Sequence, residues 1–473
     1  MNQRLLPACL AAVLLIPALA RANPEPTAYD ARSIGMGLTG VTFLDQPAAL
    51  ALNPANLEGI EKLGFTFHFT SLFTNQRAPV QGPGSQVDSG LGFGPIPSGF
   101  IAGRIAPRVV FGAGIYIETG YGSSFSGVQC LDGAADPNNP DSEFPDTNPD
   151  TCLNGEPRDL DVTFFVGEFT SGFSFKAHEK FQFGLALRLP FSKQNADLYQ
   201  NIGAALGTGT RYGRVVNNIG GVGFPSLRFG FTIKPHRKVR ISAMYRMYSK
   251  IKLTGYTETT LAEGTDPLRL SAEADWFIPH ALSFGVSYQA NSHLLLAFEA
   301  RRQWHAADKS GNQNQTVVAS LPDGTVLSTI VVPFGWQNLW SVKIGFEYRF
   351  TKDFIALRLG TNIAESATTP QWAQYFTPPP ASFMFTTVSS GLGFYWNDRN
   401  NPSIKDKYRL DLGGLFSWSG ETIGNEYIGT SQTIPGTTQS VEICSDEQVV
   451  RTGCPGKYRV LTYWASVSFT LQY

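Results

Sequence analysis

The last thirteen residues of the chain alternate between two kinds of side chain at every step. The odd positions carry Leu461, Tyr463, Ala465, Val467, Phe469, Leu471 and Tyr473, and the even positions carry Thr462, Trp464, Ser466, Ser468, Thr470 and Gln472. Because successive side chains of a β-strand point to opposite faces, this run predicts a strand with one apolar and one mainly polar face. It is longer than the roughly 4 to 8 residues of an ordinary half-buried strand and fits the about 9 to 11 residues with which a barrel strand crosses a membrane. We therefore expect Tyr473 to end a membrane strand.

The same alternation recurs at three places upstream. Its apolar members are Leu63, Phe65, Phe67 and Phe69; Phe181, Phe183, Leu185, Leu187, Leu189 and Phe191; and Trp340, Val342, Ile344, Phe346, Tyr348 and Phe350. The residues between them are mostly polar or small. A barrel in a membrane requires this pattern, since its outer face meets lipid while its inner face lines the lumen.

The connections between such runs are of two kinds, which alternate along the chain. Short turns are predicted near residues 106–108, 177–180, 235–238, 289–293, 351–353 and 397–405. Long stretches rich in Gly, Pro and Asn lie near residues 77–95, 120–159, 195–221, 254–274, 306–334, 364–383 and 420–456. Seven long loops and six short turns join fourteen strands, and an even number leaves both ends of the sheet on one side. Because backbone groups in lipid are satisfied only by closure, the predicted fold class is an all-β membrane protein, a fourteen-stranded antiparallel outer-membrane β-barrel.

Composition agrees with a barrel but does not require one. Hydrophobic residues make up 42% and charged residues 16% of the chain, and the mean hydropathy is -0.10. A secreted soluble β-protein has a similar composition and is the alternative that composition alone favours. The net charge of -1 excludes a strongly basic nucleic-acid-binding protein, so we expect no nucleic acid among the partners.

The N-terminus has the features of a secretory signal peptide. Arg4 supplies a positive charge, residues 10–19 form a short apolar run, and Ala20-Arg21-Ala22 is the small-residue motif before the predicted cleavage at Asn23. The apolar run is too short for a membrane anchor, which needs about 18 or more apolar residues. We therefore divide the chain into a signal peptide (residues 1–22), an N-terminal plug (residues 23–61) and a transmembrane barrel (residues 62–473).

The plug prediction rests on the apolar content of residues 23–61. This segment contains Ile34, Met36, Val41, Phe43, Leu44 and Leu50. Such side chains favour burial, and a barrel of fourteen strands is wide enough to hold a plug. The alternative is a mobile extension on the periplasmic side.

Four cysteines remain after the predicted cleavage, in two sequence-local pairs. An exported protein meets an oxidising compartment, so the pattern favours disulfides between Cys130 and Cys152 and between Cys444 and Cys454, although four cysteines allow three connectivities. A zinc site is the alternative, but the spacings lack a tight Cys-x-x-Cys, and we expect no metal. The acidic stretch between Cys130 and Cys152 predicts a solvated loop, with divalent-cation binding as the alternative.

The strands and the N-terminal segment resemble the FadL family of outer-membrane long-chain fatty acid transporters, which includes the TodX-type hydrocarbon channels. The residues that carry the resemblance are Asn53-Pro54-Ala55, Gln303-Trp304-His305, Trp336, Trp340, Gly345-Phe346-Glu347-Tyr348, Leu357-Arg358-Leu359-Gly360 and Tyr408-Arg409-Leu410-Asp411-Leu412-Gly413. The resemblance spans essentially the whole chain after the signal peptide. It implies an N-terminal plug inside the barrel, with Asn53, Pro54 and Ala55 in the place of the family's plug motif. The departures are Asn23-Pro24-Glu25-Pro26, Ile117-Glu118-Thr119-Gly120 and Ser341, and they leave the substrate open.

The resemblance implies passive uptake of hydrophobic compounds, such as long-chain fatty acids or hydrocarbons, across the bacterial outer membrane. The expected partners are these small molecules together with outer-membrane lipid and lipopolysaccharide, and we expect a monomer without a cofactor. The sequence has no Gly-x-Ser-x-Gly, His-Glu-x-x-His or P-loop motif, so we expect no enzymatic activity. The alternative is a barrel without a transport role, either a lipid hydrolase or an adhesion or assembly scaffold that uses its long loops.

Binding of an amphipathic acid requires apolar walls and a few cations for its carboxylate. The cations that alternation predicts on the inner face are Arg188, Arg240, Arg246, Lys250, Lys252 and Arg358. For any one of them, structural pairing with Glu299, Glu347 or Asp411 is the more common role, so the set indicates ligand binding better than its members do.

Two further features are candidates for substrate entry and exit. In the third long loop, Leu198, Ile202 and Leu206 recur at helical spacing and predict a short amphipathic helix. Its apolar patch either captures a hydrophobic substrate or only covers the barrel mouth. Gly112 and Gly114 in the third strand mark where we expect a kink or bulge to open the wall.

Overall fold

The computed structural model describes residues 29–80, 83–128, 158–201, 212–260, 266–307, 310–350, 354–374, 385–397, 407–445 and 451–473. Within these residues, fourteen antiparallel strands close into one barrel, and three of the strands have a break. The strands are β1 (Leu63–Ala78), β2 (Gly92–Ala106), β3 (Val109–Val128), β4 (Arg158–His178), β5 (Phe181–Asn201), β6 (Tyr212–Val222 and Ser226–His236), β7 (Val239–Arg246 and Ser249–Thr260), β8 (Leu268–Ile278 and Ala281–Gln289), β9 (Leu294–Gln303), β10 (Leu339–Arg349), β11 (Ile355–Ala364), β12 (Phe385–Trp396), β13 (Tyr408–Ile423) and β14 (Gly456–Gln472).

The first and last strands close the barrel by pairing along most of their length. Their side chains alternate as predicted. Phe67 and Phe469 are exposed on the outer face, whereas His68 and Ser468 are buried on the inner face, with His68 Nδ1 2.9 Å from Ser468 Oγ. The strand predicted to lead to Tyr473 is confirmed as the fourteenth.

The connections divide the barrel into a turn end and a loop end. The turn end carries the short connections and both ends of the sheet, where the backbone N–H of Lys62 donates to the carbonyl of Tyr473 at 3.1 Å. At the loop end, a hairpin of Asn314–Ser320 and Val326–Pro333 pairs with β8. Among the described residues, no helix is both long and apolar enough to cross a membrane.

A second hairpin at the loop end carries the predicted disulfide between Cys444 and Cys454, which is confirmed. The hairpin consists of Ser431–Thr433 and Ser440–Glu442, and 3-10 turns at Pro370–Trp372 and Asn425–Tyr427 lie in the same part of the chain. Cys130 and Cys152 lie outside the described residues.

The breaks in β6, β7 and β8 lie side by side and reverse the two faces of the wall. The inward residues that flank each break are three positions apart instead of two: Gly223 and Ser226, Arg246 and Ser249, Ile278 and Ala281. Each break is therefore a one-residue insertion. Because side chains alternate with a period of two, one inserted residue moves every later side chain to the opposite face.

Residues Tyr29–Ile60 lie inside the barrel and are called the luminal segment below. They form α1 (Ala31–Gly35), α2 (Ala49–Leu52) and a 3-10 helix (Pro54–Gly59). The side chain of Asp30 caps α1 by accepting hydrogen bonds from the backbone N–H groups of Arg32 and Ser33. Helix α1 contacts β11 to β14, and the 3-10 helix contacts β3 to β6, so the luminal segment reaches from one side of the wall to the other.

Strand β5 runs further towards the loop end than the sequence predicted. Leu198 lies in β5 opposite Val215 of β6, and its side chain is buried. The amphipathic helix is therefore wrong at Leu198, because strand pairing continues to Asn201. Ile202 and Leu206 lie outside the described residues.

Candidate functional site

The reversed faces place an apolar surface inside the barrel at the loop end. Beyond the break in β7, Ile251 and Leu253 are fully buried on the inner face. They belong to a group called the apolar cluster below: Phe164, Val166, Ile219, Ile251, Leu253, Ala272, Ala274, Trp276, Ile278, Phe334, Trp336, Leu339 and Ala367. The ring centroid of Trp276 lies 4.5 Å from that of Phe164 and 5.5 Å from that of Trp336. The lumen at the loop end is thus lined by aliphatic and aromatic side chains.

The same reversal overturns part of the predicted basic face. Lys250 and Lys252 point outward, and Lys250 Nζ lies 2.6 Å from the carboxylate of Asp275 on the outer face of β8. The prediction that both lysines face the lumen is wrong, because it assumed an unbroken strand. Arg240 and Arg246 precede the break and remain on the inner face.

Three buried arginines line the lumen at the level of the breaks, namely Arg188 of β5, Arg228 of β6 and Arg246 of β7. A break leaves backbone carbonyls without partners in the strand ladder, and a buried carbonyl needs a donor. Arg188 Nη1 donates to the carbonyl of Met247 at 2.9 Å, and Arg246 Nη2 donates to the carbonyl of Pro279 at 3.0 Å. Two of the arginines therefore stabilise the breaks that create the apolar cluster.

Two buried glutamates, Glu118 of β3 and Glu168 of β4, face these arginines. Arg246 is hydrogen-bonded to Glu118 and Arg188 to Glu168, while Arg228 Nη2 lies 3.4 Å from Glu168. The five side chains, called the arginine cluster below, carry three positive and two negative charges. The Nε atoms of Arg188 and Arg228 have no hydrogen-bond partner in the part of the chain that the structure describes. Positive charge thus remains at the border of the apolar cluster.

The Asn53-Pro54-Ala55 motif lies inside the barrel against two glycines of the wall. A Cβ atom at Gly230 would lie 2.0 Å from Asn53 Oδ1, and one at Gly184 would lie 2.4 Å from Ala55 N. Asn53 Oδ1 also accepts a hydrogen bond from the backbone N–H of Ala55 at 3.1 Å. Any larger residue at these wall positions would displace the motif, so the glycines permit its close approach.

Buried ion pairs hold the opposite side of the luminal segment. Arg32 donates from Nε and Nη2 to the two carboxylate oxygens of Glu347 at 2.8 and 2.9 Å. Arg358 Nε donates to Glu347 at 2.7 Å and Arg358 Nη2 lies 2.8 Å from the carboxylate of Asp411 in an ion pair, so Arg358 faces inward as predicted. Removing one partner from a buried ion pair costs about 3 to 5 kcal/mol, because the other charge is left uncompensated.

The wall is interrupted between β2 and β3. Their ladder runs to Ser98 opposite Tyr116, and among the described residues no ladder pair follows before the backbone N–H of Gly90 donates to the carbonyl of Ser124 at 3.0 Å. Over this interval β2 goes on pairing with β1, and β3 with β4. Two features explain the interruption. Glu118 forms a bulge in β3, and Pro95 and Pro97 in β2 have no backbone N–H to donate.

The predicted opening at Gly112 and Gly114 is wrong. Both glycines lie in the regular ladder, opposite Ala102 and Phe100 of β2. The interruption begins later in the same strand, where the bulge at Glu118 turns the backbone away from β2.

The structure brings only some of the predicted residues together. Arg188 and Arg246 meet in the arginine cluster, whereas Arg240 lies near the turn end of β7, opposite Ser287. Arg228 was not predicted as a site residue, although alternation along β6 places it on the inner face. Trp276 was not predicted either, because alternation places it on the outer face unless the break in β8 is known.

Comparison with known proteins identifies the family. The family model described as "Outer membrane protein transport protein (OMPP1/FadL/TodX)" matches residues 153–404, just over half of the chain. The chain belongs to the FadL/TodX family. No curated protein sequence matches it.

Solved structures of FadL/TodX proteins have the same fold. A Pseudomonas aeruginosa FadL homologue is 16% identical with a TM-score of 0.68, over 96% of this chain and 100% of that one. The Ralstonia pickettii toluene transporter TbuX and the P. putida toluene transporter TodX are each 18% identical with TM-scores of 0.66, over 95% of this chain and 99% of theirs.

As a FadL/TodX family member, the protein is an outer-membrane transport protein. Outer-membrane barrels have short turns on the periplasmic side and long loops outside the cell. The turn end of this FadL/TodX barrel is therefore periplasmic, and the loop end with the apolar cluster is extracellular.

Proposed function

We propose that the protein takes up hydrophobic compounds by passive diffusion, with hydrocarbons and long-chain fatty acids as substrate classes. The observation that carries the proposal is the face reversal in β6, β7 and β8, which makes the extracellular part of the lumen apolar. Transfer of apolar surface from water to such a lining is favourable by roughly 25 cal/mol per Å². The solved relatives TbuX and TodX, both toluene transporters, support the hydrocarbon class.

The arginine cluster supports fatty acids as a second class. Its arginines outnumber its glutamates by one, and the Nε donors of Arg188 and Arg228 lie at the border of the apolar cluster. An acid with its chain among the apolar side chains brings its carboxylate to this border. Hydrogen bonds between a guanidinium and a carboxylate are roughly twice as strong as those between neutral groups.

The luminal segment serves as a plug, and the interruption between β2 and β3 serves as a lateral exit. The luminal segment fills the lumen below the apolar cluster and is held to the wall on both sides. These contacts favour a substrate route that passes around the segment. A hydrophobic molecule that leaves sideways passes from an apolar lining into lipid without entering water. Movement of the luminal segment away from Glu118 would open this route.

Transport by this route needs no covalent chemistry, so we propose that the protein has no enzymatic activity. The family model of outer-membrane transport proteins, and the shared fold of the toluene transporter TbuX and the CymD monoaromatic hydrocarbon channel, favour transport over a lipid hydrolase or an adhesion scaffold.

Mass spectrometry of the ligand that copurifies with the detergent-extracted protein tests the proposal. We expect the wild type to carry a fatty acid or a hydrocarbon. Arg246→Ala should lose carboxylic acids and keep uncharged compounds, whereas Lys250→Ala, four residues away on the outer face, should behave as wild type. Arg246→Lys restores the positive charge and should recover part of the acid binding.

Two results would count against the proposal. If acids copurify equally with Arg246→Ala and Lys250→Ala, the arginine cluster does not bind the carboxylate. If a deletion strain takes up every hydrophobic carbon source at the wild-type rate, the protein does not carry out this uptake.

A further inference from the structure

A cavity of about 400 Å³ lies at the periplasmic end, between the luminal segment and the wall. Its lining carries six cations, which are Arg32, Arg237, Lys238, Arg240, Arg349 and Arg409. The same lining carries two carboxylates, Asp45 and Glu347. This basic cavity therefore has four more positive than negative charges. Like charges gathered around one cavity repel each other and attract anions from solution.

Both carboxylates of the basic cavity already have partners. Glu347 accepts two hydrogen bonds from Arg32 and lies 3.4 Å from Arg349. Asp45 Oδ1 lies 3.2 Å from Arg409 Nη1 and 3.5 Å from Arg32 Nη1. The remaining cations are therefore not neutralised by these two groups.

Arg237 and Arg240 are cavity cations that no carboxylate of the described residues contacts directly. Neither forms an ion pair or a side-chain hydrogen bond with another described residue, and Lys238 Nζ donates to a neutral group, the carbonyl of Ala290. Arg240 lies on the inner face of β7 and acts on Asp45. Burial raises the pKa of the Asp45 carboxyl, but the positive charges of Arg409, Arg32 and Arg240 lower it by more. The pKa of Asp45 therefore lies below its usual range. Arg240 also lines the cavity itself.

The basic cavity is separate from the arginine cluster. Arg240 and Arg246 are six residues apart on β7, which corresponds to about 20 Å along a strand. Phe43 and Leu295 also line the cavity, each through the small part of its side chain that is not buried. Cations beside an apolar patch suit the head and first carbons of an anionic amphiphile.

We propose that the basic cavity binds the carboxylate of a fatty acid on the periplasmic side of the luminal segment. Arg237 and Arg240 hold the carboxylate, and the first carbons of the chain lie against Phe43 and Leu295. The identity of the cargo rests on the function proposed above.

A cysteine at Ser292, an exposed residue of the cavity lining, tests the proposal locally. The Ser292→Cys protein is labelled with two methanethiosulfonate reagents, one carrying a sulfonate and one carrying a trimethylammonium group, and the parent protein measures background labelling. Cationic clefts raise the local concentration of anions by 10-fold or more. We expect the sulfonate reagent to react about tenfold faster than the cationic one, and octanoate to slow its reaction more than octanol does.

Charge-removing variants supply the controls. Arg237→Gln with Arg240→Gln in the Ser292→Cys background should bring the two rates within about twofold and abolish protection by octanoate, because the attraction is electrostatic. Arg108→Gln, which removes an exposed cation from the turn between β2 and β3, should leave the tenfold difference unchanged.

Three outcomes would overturn the proposal. Equal rates with the two reagents would show that the cavity does not attract anions. If octanoate and octanol protect the cysteine equally, the cavity does not recognise the carboxylate. If inorganic phosphate and octanoate protect it equally, the cavity does not recognise the acyl chain. Unchanged uptake in a deletion strain would contradict the proposed function. The labelling rates would still measure anion binding in the cavity, so the two failures can be told apart.

Discussion

The hydroxyl of Tyr29 donates a hydrogen bond of 2.6 Å to the carboxylate of Glu118. Tyr29 belongs to the luminal segment, and Glu118 is the bulge residue at which β3 leaves β2. The ring of Tyr29 also lies 4.4 Å from that of Tyr116. Burial and the neighbouring charge of Glu118 raise the pKa of Tyr29 well above its usual value, so its hydroxyl remains a donor at neutral pH. This contact joins the luminal segment to the edge of the wall interruption.

Loss of the contact should open the wall interruption more often. Tyr29→Phe removes one hydrogen bond to a charged acceptor, worth about 1.5 to 3 kcal/mol, and should increase the frequency of open events in planar bilayers by about tenfold or more. Tyr29→Ala also removes the ring and should have a larger effect. Tyr256→Phe, which lies on β7 near the loop end, is the control. Wild-type conductance in both Tyr29 variants would contradict a sealing role.

The ion pairs of Glu347 should contribute more to barrel stability than those at the surface. Glu347→Gln leaves Arg32 and Arg358 without their shared partner and should lower the free energy of unfolding by about 3 to 5 kcal/mol, measured by circular dichroism in detergent. Glu365→Gln removes a partly exposed pair with Arg302 and should cost less than about 1 kcal/mol. Similar losses in the two variants would contradict the assigned role of Glu347.

Asp45 should make stability depend on pH only in acid. Its folded pKa is lowered, so its contribution is complete above the pKa of the unfolded chain, about 4, and is lost as the pH falls through the folded value. Wild type and Asp45→Asn should therefore differ by a constant amount between pH 5 and 7 and converge below about pH 4. Melting temperatures across this range provide the measurement. A difference that changes between pH 5 and 7 would contradict the lowered pKa.

Reduction of the disulfide between Cys444 and Cys454 should have a local effect. The bond closes a short loop outside the barrel wall, so its main action is to restrict that loop in the unfolded state. Replacing both cysteines with serine should speed proteolysis between β13 and β14 and leave the melting temperature of the barrel unchanged. A lower melting temperature of the barrel in this variant would show that the hairpin supports the wall.

Alternation predicted the faces of the unbroken strands correctly, because burial alone sets their inner and outer sides. It failed at Lys250, since a single inserted residue leaves no sign in one strand and becomes evident only when β6, β7 and β8 lie together. Helical spacing misled at Leu198, where pairing with β6 outweighs the local pattern. The bond between Arg32 and Glu347 joins residues 315 positions apart, and no local signal specifies such a partner.

Uptake by a pair of neighbouring variants tests most directly the claim that an apolar lumen carries the substrate. Leu253→Gln places a polar amide in the apolar cluster, whereas Thr254→Gln places it on the outer face of the same strand. An unsatisfied polar group in an apolar site costs about 1 to 3 kcal/mol, or roughly fivefold to a hundredfold in binding. In a deletion strain given equal amounts of each folded variant, Leu253→Gln should take up radiolabelled toluene and oleate at least about fivefold more slowly than wild type, and Thr254→Gln should match wild type. Equal uptake by the two variants would contradict the claim.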